Sequence, residues 1–138
     1  MEKYILPLLL LAAFVCQGIN GNDIWLEDRH VQYISHDYLG TTISIPKFIF
    51  DTLRSCHIIY PNGVMYEVFP SNNLPQSNVF FLEAVQPYTS CGVGFRGVGV
   101  EFSGTYELLS SVQHVSNNSI TLTRQRFHLT VTLPEFTN

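Results

Sequence analysis

Turn clusters fall at short intervals along this chain: Pro61-Asn62-Gly63, Pro70-Ser71-Asn72-Asn73, Gln86-Pro87-Tyr88 and Ser116-Asn117-Asn118-Ser119. The runs between them are rich in Val, Ile, Thr, Phe and Tyr, residues that fit a pleated, half-buried surface. Segments this short leave no room for long helices, and no stretch holds a helical period. Many short strands with regular turn signals define an all-β fold, a sandwich or a barrel. We expect strands near 29–35, 41–46, 52–60, 64–69, 78–85, 91–98, 105–114 and 120–133. The segment Phe48 to Leu53 fits either a strand or a single helical turn.

Period-2 alternation assigns faces. Cys56, Ile58 and Tyr60 share one side of their strand, and Cys91, Val93 and Phe95 share one side of theirs, with Gly92 and Gly94 behind. Both cysteines can therefore point inward. In the last strand Phe127, Leu129, Val131 and Leu133 make an apolar face, whereas Ile120 and Leu122 have the opposite parity. A phase change near Arg124 to Arg126 implies a bulge or a strand that crosses between sheets.

The N-terminus carries a different signal. Lys3 precedes a nearly unbroken apolar run from Tyr4 to Val15, followed by Cys16-Gln17-Gly18 with small residues suited to cleavage. This is the pattern of a secretory signal peptide over residues 1–18, with cleavage after Gly18, or after Gly21 as the alternative. The run is too short to span a bilayer, and no later segment reaches about 18 apolar residues. Removal of Glu2 and Lys3 together leaves the net charge at −4. A mildly acidic chain without a basic cluster excludes nucleic acid as a partner and gives no grip on an anionic membrane. Loss of Cys16 leaves Cys56 and Cys91 in an oxidising compartment, where they are expected to form one disulfide, the alternative being two buried free thiols. We divide the remainder into an N-terminal segment with the first strand, 19–39, and a β-sandwich domain, 40–138.

Cys91-Gly92-Val93-Gly94-Phe95-Arg96-Gly97-Val98, followed by Glu101-Phe102-Ser103-Gly104-Thr105-Tyr106-Glu107-Leu108, resembles the immunoglobulin superfamily, with Gly104 and Tyr106 on the Gly and Tyr of its Asp-x-Gly-x-Tyr-x-Cys run. Upstream, Cys56-His57-Ile58-Ile59-Tyr60-Pro61-Asn62-Gly63 looks like a first-cysteine strand entering a turn, as in the single secreted Ig-like domains common in arthropods. The resemblance spans roughly residues 40 to 133. It implies a two-sheet antiparallel β-sandwich with Tyr106 as the tyrosine-corner residue. Phe102 replaces the motif's Asp, Leu108 replaces the second inter-sheet cysteine, and the sole tryptophan, Trp25, is far upstream of the position that would pack on the bridge. The usual bridge is therefore absent, and a Cys56–Cys91 pair would make an unusual connection.

Gly92-x-Gly94-x-x-Gly97 matches the glycine pattern of nucleotide-binding loops, but no helix follows to hold phosphate. Glycines that bend a strand or admit a close neighbour explain it better. No Gly-x-Ser-x-Gly, His-x-His or paired carboxylates appear, and His30, His36, His57, His114 and His128 read as surface or half-buried strand residues. We expect no catalytic residues, no metal site and no cofactor.

Asn117-Asn118-Ser119 is a glycosylation sequon at the tip of the last hairpin, or else an unmodified turn; a glycan there would make that end a poor binding surface. If the odd positions of the last strand face the core, Arg124, Arg126 and His128 stand together on the other side. They make a candidate docking stripe for an acidic partner, or a solvated face that discourages aggregation. The function these features favour is a secreted, non-enzymatic recognition module for an extracellular protein. The alternative is a carrier of an apolar ligand, with Asn78-Val79-Phe80-Phe81-Leu82 lining a cavity between the sheets.

Overall fold

A computed structural model describes residues 23–135, so the signal-peptide assignment lies outside the described residues. Nine strands and one short 3-10 turn make up the described chain: β1 (Asp23–Trp25), β2 (Arg29–Ile34), β3 (Thr41–Ile45), β4 (Thr52–Ile59), β5 (Met65–Phe69), β6 (Val79–Phe81), β7 (Cys91–Phe95), the turn Val100–Phe102, β8 (Gly104–Gln113) and β9 (Ile120–Thr132). The ambiguous segment at Phe48 is a tight turn, closed by the Asp51 N–H donating to the Phe48 carbonyl at 3.1 Å.

The strands form two sheets. The larger runs β1-β9-β8-β4-β5, with β2 also paired to β9, and the smaller runs β3-β7-β6. Pairing is antiparallel except for β1 and β2, which both run parallel to β9. The order β9-β8-β4-β5 over β3-β7-β6 is that of an immunoglobulin variable-type sandwich, G-F-C-C′ facing B-E-D. Cys56 therefore stands on the strand in the C position, which corrects its expected place on the first-cysteine strand.

Alternation carries the core. Ile43 and Ile45 of β3, Cys91, Val93 and Phe95 of β7, Tyr106 and Leu108 of β8, and Phe127, Leu129 and Val131 of β9 all lie buried between the sheets. Cys56 and Cys91 are joined by a disulfide across the sandwich, with Cα atoms 5.1 Å apart. The bridge links the C-position strand to the E-position strand, and Leu108, fully buried, fills the place of a second cysteine on β8. An aromatic cluster completes this part of the core: Tyr106 stacks on Phe127 at 5.1 Å and meets Tyr60 and Phe95 edge-on at 5.3 and 5.5 Å.

The phase change expected in β9 has another origin. β9 pairs with β8 in unbroken register from Gly104↔Leu129 to Gln113↔Ile120, without a bulge or a change of sheet. The irregularity sits on its other edge. From Asp23↔Leu122 to Arg29↔Phe127 the N-terminal chain advances six residues while β9 advances five, so Leu26 to Asp28 absorb one extra residue. Ile120 and Leu122 lie on the outer face with Arg124 and Arg126, only half-buried.

The glycines of β7 admit close neighbours. Gly94 lies beneath the Phe80 ring, where a Cβ would clash, and at Gly92 a Cβ would come within 2.8 Å of the Ser44 Cβ. The run Asn78 to Leu82 thus spends its apolar groups separately: Val79 enters the core, Phe80 covers Gly94, and Phe81 packs on Phe69 at 5.6 Å. Its side chains border two clefts rather than one chamber: Val79 and Phe80 line one of about 330 Å³, and Phe81 lines one of about 280 Å³ together with Val68 and Phe69 of β5.

Candidate functional site

Three loops meet at one end of the sandwich: 46–51 between β3 and β4, 82–90 between β6 and β7, and 114–119 between β8 and β9. Their large apolar side chains point to solvent. Phe48, Phe50, Val85, Tyr88 and Val115 are between 64% and 81% exposed, and Ile49 is 47% exposed. Scattered exposed apolar residues are ordinary, whereas these gather on three loops at the same end of a small domain.

Two polar residues hold these loops together. Lys47 donates from Nζ to the carbonyls of Asp51 at 2.8 Å and Pro87 at 2.5 Å, and more distantly to Phe48 and Ile49, so one ammonium gathers carbonyls from two loops. Desolvation in this nest lowers the Lys47 pKa from its usual value, against the nearby Asp51 carboxylate. Asp51 is buried and faces the third loop: Oδ1 accepts the Val115 N–H at 3.1 Å and Oδ2 meets His114 Nδ1 at 2.7 Å. The Val115 N–H, then His114, hold the Asp51 carboxyl below the usual carboxylate range.

His114 continues the row through Nε2 to the Thr121 hydroxyl at 2.5 Å. Its connectivity is that of an acid, histidine and hydroxyl relay. The clefts of about 240, 330 and 280 Å³ on the surface are lined by other residues. The row ties the first loop, through Asp51, to the third, through His114 and Val115. Sequence reasoning missed it because Asp51 and His114 are 63 residues apart.

The sequon lies at this same end. Asn117 is exposed, and its Oδ1 accepts from the Ser119 N–H at 3.0 Å and hydroxyl at 2.7 Å. Because 114–119 joins two strands of the larger sheet and 82–90 joins two of the smaller, the sequon and Tyr88 stand on opposite sides of the patch.

Arg124, Arg126 and His128 do share the outer face of β9, yet their charges are engaged. Arg124 pairs with Glu107 at 3.6 Å, and both arginines lie over the Trp25 ring, at 5.5 and 4.9 Å. His128 is bonded to Asp28 at 2.8 Å and Thr105 at 2.9 Å, and stacks on His30 at 4.8 Å. The His128 hydrogen bond lowers the Asp28 pKa. The stripe is thus capped by a tryptophan that β1 delivers in register with Arg124.

Tyr106 opens β8, and its hydroxyl donates to the Phe102 carbonyl four residues upstream at 2.6 Å. Burial pushes its pKa far above the usual phenol range, and that of Tyr60 up to about 12. Among the described residues no group of three His, Cys, Asp or Glu could hold a metal ion, and no helix is long and apolar enough to cross a membrane.

No protein-family model and no curated protein matches the chain. Solved structures do. Murine CRIg superposes with a TM-score of 0.56 at 7% identity, covering 75% of this chain and 92% of that one. The extracellular domain of the voltage-gated sodium channel beta4 subunit, described in parallel homodimers with a role in cell–cell adhesion, gives a TM-score of 0.49 at 7% identity over 78% and 93% of the two chains. The likeness to CRIg shows an Ig-like β-sandwich.

Proposed function

We propose that this chain is an extracellular, non-enzymatic recognition module that binds a protein partner through the loop end formed by 46–51, 82–90 and 114–119. The observation that carries this reading is the solvent exposure of Phe48, Phe50, Val85, Tyr88 and Val115 on loops fixed by Lys47 and Asp51. A rigid apolar cluster loses little conformational entropy on docking, and aromatic side chains supply most of the energy at interface centres. An extracellular location is supported by the disulfide and by the signal-like N-terminal run.

The test is affinity capture from the native extracellular fluid with the secreted protein and with the double variant Phe48→Ser/Phe50→Ser. A partner retained by the wild type and lost by the variant supports the reading. A partner held equally by both, with lost binding in Arg124→Ala/Arg126→Ala instead, would move the interface to the outer sheet face. Enzymatic removal of any glycan at Asn117 should strengthen capture by the loop end.

A further inference from the structure

At the opposite end of the sandwich, the β4–β5 connection and the 3-10 turn before β8 enclose a cleft of about 240 Å³ lined by Tyr60, Pro61, Gln76, Glu101, Phe102 and Tyr106, with Asn62 and Ser103. Small-molecule sites generally run from about 300 to 1,000 Å³, so this one is sized for a single side chain. Tyr60 and Tyr106 are buried and form its floor; Pro61 and Phe102 are more exposed and form its walls.

The polar groups of the cleft are mostly spoken for. Asn62 Oδ1 accepts the Val64 N–H at 3.0 Å, Gln76 Oε1 accepts the Tyr60 hydroxyl at 3.2 Å, and the Phe102 carbonyl takes the Tyr106 hydroxyl. The Ser103 hydroxyl is bonded to the main chain of Val131. Glu101 is the exception. It is exposed, and among the described residues its carboxylate makes neither an ion pair nor a hydrogen bond. It folds back over Gly99, where any Cβ would clash with it, and no cation lines the cleft.

We propose that this cleft receives the guanidinium of an arginine presented by a partner protein, stacked on Phe102 and paired with Glu101. A guanidinium is planar, stacks on aromatic faces and offers two parallel N–H donors to one carboxylate, which an ammonium does not. The Tyr106 hydroxyl fixes the Phe102 main chain, so the wall is in place before a ligand arrives. The site is separate from the apolar loops, so its failure leaves the proposed function untouched.

The test is an NMR titration of the secreted, isotope-labelled protein with Nα-acetylarginine amide, using the lysine and citrulline analogues as the ammonium and the uncharged isostere. Saturable shifts confined to 60–62, 76 and 101–106 are expected with the arginine compound. The lysine analogue should bind several-fold more weakly and the citrulline analogue should give none. Glu101→Gln, at an exposed position that should not disturb folding, should weaken the arginine compound by roughly tenfold, and Phe102→Leu by several-fold. Equal responses to arginine and citrulline, or an affinity unchanged in Glu101→Gln, would overturn the proposal. Tighter binding of tetramethylammonium than of the arginine compound would also overturn it, by making the site one for quaternary ammonium.

Discussion

The hydroxyl of Tyr106 donates to the carbonyl of Phe102 at 2.6 Å, joining the start of β8 to the 3-10 turn that precedes it. The ring below is 2% exposed and stacked on Phe127. Tyr106→Phe keeps the ring and removes only the donor, so it should cost about 1–3 kcal/mol by leaving an acceptor unpaired. Urea unfolding of the two proteins measures this. A change within error would reduce Tyr106 to a packing residue.

The disulfide offers a larger effect. Cys56 and Cys91 are separated by 35 residues. Closing such a loop restricts the unfolded chain by about 4 kcal/mol on the entropy estimate, a large share of the stability of a domain this size. Cys56→Ala/Cys91→Ala should therefore lower the unfolding free energy by several kcal/mol. Alkylation of the folded, unreduced protein should find no free thiol at either position.

Asp51 sets the response to acid. Its carboxyl is held below the ordinary value by the Val115 N–H and His114, so it binds its proton less readily in the native state than in the unfolded chain. The stabilisation is present above the unfolded pKa, about 3.9, and is lost as pH falls through the lower native value. Stability should fall in the window below about pH 4, and Asp51→Asn should flatten that part of the profile while lowering stability at neutral pH. Chemical denaturation at a series of pH values separates the two curves.

Lys47→Met removes the ammonium that gathers the carbonyls of Asp51 and Pro87. The variant should fold, because the strands do not depend on it, but amides in 47–51 and 84–90 should exchange faster. Binding at the apolar end should weaken through loss of pre-organisation. Unchanged exchange in these loops would show that backbone packing alone holds them.

Trp25 is the only tryptophan and lies over Arg124 and Arg126, so its emission reports on the outer face of β9. Arg124→Ala/Arg126→Ala should shift that emission while leaving the unfolding midpoint within a few degrees. A spectrum identical to the wild type would mean the ring does not rest on the guanidinium groups in solution.

Strand positions were legible because alternation is local: Cys56, Ile58 and Tyr60 announce their face within five residues, and the structure buries all three. Partnership was not legible. Asp23 to Trp25 is too short to alternate, and only pairing with Leu122 to Arg124 makes it a strand. The same distance hid the role of β4. Nothing within Cys56 to Tyr60 says which sheet it joins, and its place between β8 and β5 is set by contacts on either side. At the loop end, Phe48 to Leu53 looked ambiguous because apolar residues that face solvent mimic those of a buried strand. Arg124, Arg126 and His128 share the outer face of β9, but the neighbours that engage them come from 25 to 30, from Thr105 and from Glu107, which periodicity in β9 cannot reveal.

The parallel seam between β2 and β9 has a consequence for how the protein is made. Arg29 pairs with Phe127 and Ile34 with Thr132, so each residue of β2 waits for one 98 positions later. A chain emerging from the ribosome N-terminus first exposes β2 long before its partner exists. Contacts this distant in sequence slow folding, and an unpaired strand in the meantime is open to wrong partners. Tyr33 and Val31, which end in or against the core, are the apolar groups left waiting. Truncation a few residues short of Thr132 should therefore release a collapsed but unsealed sheet, in which β2 is the first segment available to a chaperone or a protease.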